Sequence, residues 1–368
     1  MKFKWKSISA IAILVLLSVV PAYSQFEGVD EETIGKETDK KIVAQFGLYD
    51  NPELQKYVQR VGRKVLSAVS EPGFEYHFKL LDHEMINAFA LPGGYIYVTR
   101  GLLAALNSEA ALAGVLGHEI GHVIGHHAVK QMKKSMSSLL LTLAGLAASQ
   151  EVRENAAAWL TVTSSLSSQI LMGYGREMEM ESDQVGMSVA YDSGYTPSGI
   201  VDFLNTMRDF ERLGARGYHG FQATHPDTIK RIIDAEGKAD ILKARGGPIG
   251  LFRDRYLDAI DGLRYGKPKA RKRTLPPYKI KIHTVKEGET FRSIAEDSAK
   301  DKGLALIIAT LNAMDHNTPL KAGYRIKTLV PEESVTQKLM EVKEDEVGAG
   351  DSDGEVKQDG GPKSKGPK

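Results

Sequence analysis

Apolar residues recur along this chain in two rhythms, and the rhythms divide it into elements. In "DNPELQKYVQRVGRKVL" (50–66) they return at helical spacing, with Asn51 as N-cap and Pro52 at the first helical position. The whole of 31–70 reads as helical. "FEYHFKLL" (74–81) and "GYIYVT" (94–99), rich in aromatic and branched residues, predict strands. "LPGG" (91–94) between them is turn chemistry. Ser108 can cap a long helix running to about Met136. Helical patterns resume at 176–192, at 197–213 behind Thr196 as N-cap, and at 226–243.

Four stretches break these rhythms. Lys2, Lys4 and Lys6 precede an apolar run and the small residues "AYS", the layout of a signal peptide cleaved after Ser24. An uncleaved anchor is the alternative, but the run is short for a span of ~20 residues. "SLLLTLAGLAAS" (138–149) is likewise below ~18 residues, so it is read with 156–172 as a helical hairpin, buried or in peripheral contact with a membrane. "RYGKPKARKRTLPP" (264–277) joins positive charge to prolines, as linkers do. Residues 332–368, polar and rich in Gly, Asp, Glu and Lys, read as a disordered tail.

Composition narrows the chemistry. A length of 368 residues suits two folded units, and 42% apolar with 26% charged residues describes an ordinary globular protein. There is no cysteine, so a bound metal must rest on His, Asp and Glu. Removing Lys2, Lys4 and Lys6 with the signal takes the formal charge from +1 to −2, and nothing points to nucleic acid.

"HEIGHVIGHH" (118–127) carries the strongest chemical signal. His118 and His122 lie one turn apart on one helix face, where both can reach one ion. Glu119 beside them can take a proton from the activated water. The same five residues occur by chance in unrelated helices, but this helix is otherwise apolar and small, so charge on it needs a partner. The extended pattern HExxHxxGxxH fails, because Ala128 stands at its last position. A third ligand must come from elsewhere, and "GREMEMESDQVG" (175–186) supplies the best-placed carboxylate. Arg176, Glu179 and Asp183 share a face there, so Glu179 can complete the site and Asp183 can accept a ligand histidine's ring N–H. Alone, that segment reads as a charged, exposed helix.

Four segments together resemble the M48 zinc metallopeptidases, a gluzincin family that includes CAAX prenyl proteases and envelope quality-control proteases. They are "NAFALPGGYIYVTRGLL" (87–103), the zinc helix with a histidine at position 127, "REMEMESD" (176–183) and "THPDTIKRI" (224–232). The resemblance implies one zinc per chain on His118, His122 and Glu179, with Glu119 as general base and Asp183 behind a ligand. It implies His225 at the mouth of the site, stabilising developing charge or shutting the site at rest. It also implies that "GYIYVT" is an exposed edge aligning an extended substrate. Ser182 departs from the family's usual alanine, and His126 and His127 are expected to be exposed or behind the ligands.

Residues 282–331 read as strand, two helices and strand, and resemble a LysM domain, which implies binding to peptidoglycan or chitin. Glu289 and Phe291 replace that family's usual aspartate and leucine. The expected fold class is α+β: a mainly helical metallopeptidase domain with a small edge-exposed sheet, and a small βααβ domain. The expected boundaries are signal 1–24, metallopeptidase domain 25–263, linker 264–279, LysM-like domain 280–331 and tail 332–368. The function implied is an exported, periplasmic or envelope-associated zinc endopeptidase acting on unfolded or misassembled envelope proteins. The rivals are a latched chaperone or assembly factor and a cell-wall peptide hydrolase.

Overall fold

A computed structural model describes residues 30–134, 173–212, 219–226, 228–267 and 278–332. The signal, the hairpin at 138–172, the middle of the basic stretch and the tail beyond 332 lie outside the described residues. Helices dominate and two small sheets complete the architecture.

The expected helical stretch at 31–70 is two helices, α1 (Glu31–Phe46) and α2 (Pro52–Leu66). Asn51 caps α2 as its sequence predicts, accepting from the Leu54 amide at 3.0 Å. The first sheet holds β1 (His77–Leu81), β2 (Ala88–Leu91) and β3 (Tyr95–Thr99) in the order β1-β3-β2. β1 runs parallel to β3, and β2 antiparallel with Ala88 opposite Val98. This corrects the reading of "GYIYVT" as an edge: β3 is the centre of the sheet, and β1 and β2 are its outer strands. Both faces are covered. Leu81, Phe89, Leu91 and Tyr97 pack with Ile42 of α1, while Leu80, Ala88, Ala90, Ile96 and Val98 enter the main core.

α3 (Arg100–Ala105) leads into α4 (Glu109–Ile124), capped by Ser108 at 3.1 Å from the Ala111 amide. The expected single helix to Met136 is broken. Gly125 ends α4, His126 takes a left-handed φ of 51°, and residues 127–134 then resume as helix. α5 (Arg176–Asp192) has the predicted bounds, and α6 (Ser198–Arg212), α7 (His219–Thr224), α8 (Thr228–Ala244) and α9 (Arg253–Ile260) follow. Every one of the first fifteen residues of α4 is buried, Glu109, His118, Glu119 and His122 among them, because apolar residues occupy all its faces.

The second sheet, β4-β5-β6, spans the two halves of the chain. β4 (Arg264–Tyr265) pairs with β5 (Tyr278–Thr284), and β5 pairs with β6 (Arg325–Pro331). Between β5 and β6 lie α10 (Phe291–Ala299) and α11 (Ala305–Leu311), giving the strand–helix–helix–strand order expected from sequence. This unit is fastened to the first. Lys327 is fully buried, and its Nζ donates to the carbonyls of Ala104 and Leu106 at 2.7 and 2.8 Å. Burial, aided by Arg253, holds the amine well below its ordinary pKa, and its N–H groups are taken by those two carbonyls. Arg253 donates to the Arg325 carbonyl at 2.6 Å, and Arg325 pairs with Asp254 and Asp258. Replacing Lys327 by Met keeps the length but orphans both carbonyls, and is expected to lower the unfolding free energy by about 2 kcal/mol. Urea denaturation of the full chain measures this, and an unchanged midpoint would mean that the halves do not depend on this contact.

Candidate metal centre

α4 and α5 cross at a distance that only the smallest residues allow. A Cβ on Gly117 would lie 2.6 Å from the Gly186 carbonyl oxygen, and one on Gly186 would lie 2.4 Å from the His118 nitrogen. One turn along, a Cβ on Gly121 would meet the Ser182 Cα at 2.9 Å. Gly117 and Gly121, each of which weakens the helix, are thus the places where a second helix comes in. The approach sets Glu179 and Asp183 of α5 against His118 and His122 of α4.

Four donors converge. His118, His122, Glu179 and His225 each offer one atom, all within 4.8 Å of one another and all buried. His118 Nε2 lies 3.0 Å from His122 Nε2 and 3.2 Å from His225 Nδ1. Glu179 reaches His122 Nε2 at 3.4 Å and His118 Nε2 at 3.5 Å. Donor atoms held ~2.0–2.1 Å from a tetrahedral zinc stand about 3.3 Å apart, so this spacing fits such an ion. The proton positions fit too. His118 Nδ1 faces Asp183 at 2.8 Å, and His122 Nδ1 faces His127 at 2.8 Å, which leaves the Nε2 lone pairs turned toward each other. Facing lone pairs beside a carboxylate repel unless a cation lies between them.

Charge gives the same answer. Glu119, Glu179 and Asp183 are buried, and Arg231 is the buried guanidinium beside them. It donates to Asp183 through Nε at 2.7 Å and Nη2 at 2.8 Å, and its Nη1 pairs with Glu179 at 2.8 Å. Two ionised carboxylates and a third acidic group, Glu119, crowd one guanidinium, and a cation eases that crowding. Burial raises the Asp183 carboxyl, but Arg231 and His118 outweigh it and hold the pKa at about 2. Burial likewise opposes Glu179, yet His225, His122 and Arg231 keep it well below the usual carboxylate range. Glu119 goes the other way. Burial pushes its pKa up, only partly countered by His225 and His118, and neither carboxylate oxygen has a hydrogen-bond partner. Burial keeps the His122 ring well below its ordinary value, as a neutral ligand requires.

All six residues singled out by sequence are therefore together: His118, Glu119, His122, Glu179, Asp183 and His225. His225 Nδ1 lies 3.0 Å from Glu179 and its Nε2 lies 3.6 Å from Glu119. Its ring stacks on Phe221 at 4.4 Å, while Tyr174 stacks on His122 at 4.1 Å. His127 is buried behind His122, whereas His126 is exposed and pairs with Glu31 at 2.7 Å. Sequence reasoning missed Arg231 and Tyr174. The only signal for Arg231 was its place six residues after His225 in "THPDTIKRI".

A helix-borne histidine pair one turn apart, an adjacent glutamate without a hydrogen-bond partner and a carboxylate brought in by a crossing helix match a metal-dependent hydrolase centre of the HExxH class. The profile of peptidase family M48 matches residues 52–239, and the chain belongs to that family. It is 30% identical over 201 residues to the "Beta-barrel assembly-enhancing protease" of Escherichia coli K12, covering 53% of this chain and 41% of that protein. The "Putative beta-barrel assembly-enhancing protease" of Vibrio cholerae is 28% identical over 194 residues, 52% of this chain and 40% of the relative. The "Mitochondrial metalloendopeptidase OMA1" of Schizosaccharomyces pombe is 25% identical over 210 residues, 56% of this chain and 60% of the relative. The chain thus spans about two fifths of the bacterial relatives' length.

Gly186→Ala is expected to cost about 1–3 kcal/mol in urea denaturation, because its methyl group meets backbone. Gly237→Ala on α8, where a Cβ meets nothing within 4 Å, is expected to stabilise by about 0.5–1 kcal/mol. Equal effects at the two sites would contradict the close crossing.

Proposed function

We propose that the chain is an exported zinc metalloendopeptidase that hydrolyses peptide bonds in unfolded or misassembled envelope proteins. The observation that carries this reading is the convergence of His118, His122 and Glu179 within 4.8 Å, with the partnerless Glu119 carboxylate beside them. Two imidazoles and a carboxylate suit zinc, and one ion per chain is expected. A zinc ion in that position supplies Lewis-acid polarisation of the scissile carbonyl and lowers the pKa of water. Glu119 then removes a proton from the attacking water and returns it to the leaving amine, a task its burial-raised pKa suits. Asp183 holds His118 in the tautomer that leaves Nε2 free, and Arg231 keeps Asp183 ionised. The Ala88 carbonyl of β2 faces His225 Nε2 at 3.4 Å, so that strand runs beside the centre, where an extended substrate is proposed to align.

The names of the bacterial relatives favour envelope proteins as substrates, chains destined for β-barrels above all. Export rests on the pattern of residues 1–24. No helix among the described residues is long and apolar enough to cross a membrane. A second reading, a latched assembly factor, is favoured by His225, whose buried ring lies 3.0 Å from Glu179 and fills a place among the donors. The unit at 278–332 is proposed to hold glycan strands, as its LysM-like order implies. Its cavity of about 680 Å³, lined by Thr290, Arg292, Gly303, His316 and Asn317, offers polar groups for sugar hydroxyls.

Two experiments test these readings. The mature protein is assayed on casein and on unfolded outer-membrane protein, with metal content, beside Glu119→Gln. One zinc in both proteins and a loss of about 10²–10⁴ in rate for the variant is the expected result. Zinc without cleavage by either favours the latched reading, and absence of zinc sinks the metalloenzyme. For the second domain, the full chain is expected to sediment with purified peptidoglycan, and Arg292→Ala with Asn317→Ala to reduce the bound fraction. No sedimentation of the parent would leave that unit as a spacer.

A further inference from the structure

His118 is backed by a carboxylate, but His122 is not. Its Nδ1 lies 2.8 Å from Nδ1 of His127, a residue with no accessible surface. We propose that His127 and Glu181 form a two-link relay that fixes the ring of His122, making His127 a positioning residue for the metal centre. The inference rests on His122 binding the ion through Nε2, as proposed above.

The proton count dictates the relay's direction. A ligating Nε2 carries no proton, so the His122 proton sits on Nδ1 and must be donated. His127 Nδ1 is therefore the acceptor, and its own proton moves to Nε2. That nitrogen lies 3.3 Å from Glu181 Oε2, which accepts. Every proton in the chain from His122 through His127 to Glu181 has an acceptor. Ser182, in place of the family's usual alanine, sets its Oγ 3.2 Å from the same His127 Nδ1, so its hydroxyl is a second donor for that lone pair.

The backbone is shaped around this ring. A Cβ on residue 125 would lie 2.4 Å from His127 Nε2, so glycine there admits the imidazole. His126 in the left-handed region turns the chain out of the line of α4 and brings residue 127 back beneath His122. A side chain serving only to fill this space has no need of two nitrogens aimed at two partners. The relay also ends in a different place from its counterpart. Asp183 is deep and locked by Arg231, whereas the Glu181 side chain is 56% exposed. One ligand histidine is thus supported from the interior and the other from the surface.

The test is the zinc dissociation constant of the full, metal-free chain, measured by competition with a chelating indicator. The melting temperature of each metal-free variant is recorded beside it. His127→Phe, which fills the space without an acceptor, is expected to weaken zinc binding about 10–100-fold. His127→Gln, whose amide oxygen can accept from His122, is expected to stay within a few-fold of the parent. Glu181→Ala is expected to weaken binding less than His127→Phe and to add nothing in the double variant, because it acts only through His127. Equal losses for the Phe and Gln variants, or additive losses in the double variant, would overturn the relay. If His127→Phe does not fold, Glu181→Ala alone decides, since unchanged affinity for that surface variant also overturns it. A parent that binds no zinc, or a His122→Ala variant that binds as tightly as the parent, would instead remove the ligand assignment beneath it.

Discussion

The close crossing of α4 and α5 is the constraint from which the rest of the centre follows. Where Gly117, Gly121, Ser182 and Gly186 meet, the two backbones approach until no larger side chain fits. Glycine in a helix interior costs about 1 kcal/mol each relative to alanine, so the crossing is bought from local stability. In return, side chains on α5 reach the histidines of α4 without long, mobile stems. Glu179 and Asp183 can then be held with both carboxylates dehydrated, which makes their attraction to cations strong.

The same helix is anchored by charge at its other end. Glu109, in the first turn of α4, is buried, accepts from the hydroxyls of Tyr57 and Tyr195 at 2.9 and 2.7 Å, and pairs with Arg255. A carboxylate there complements the helix dipole, while His122 lies in the last turn, where a cation is favoured. An apolar helix with no polar stripe is thus fixed in both rotation and axial position by groups at its two ends. That fixity suits a metal site, in which ligand displacements well below 1 Å alter affinity.

Legibility in the sequence followed the range of the interactions involved. His118, Glu119 and His122 could be read because their relation lies within one turn. Glu179 and Asp183 could be read as a pair, though only the crossing with α4 brings that charged helix face against His118 and His122. Arg231 could not, since one arginine on an amphipathic helix reads as solvated until its partners across the fold are known. β2 was missed because "AFAL" (88–91), buried on both faces, shows no alternation. β3 was taken for an edge because strand order is a long-range property that local pattern does not encode. Lys327 alternates within its strand as a surface residue does, and only the Ala104 and Leu106 carbonyls account for its burial.

The second sheet has a consequence for how the two halves stay together. Arg264 and Tyr265 pair with Lys279 and Tyr278, so the chain leaves the sheet and rejoins it at facing positions. The polypeptide between them, "KPKARKRTLPP" (267–277), is therefore not what joins one half to the other. Cohesion is supplied by the ladder and by Lys327. A tryptic nick among those basic residues would give two pieces on a denaturing gel and one particle in native solution. Lengthening that stretch would correspondingly cost little, because the entropy of loop closure grows only slowly with length.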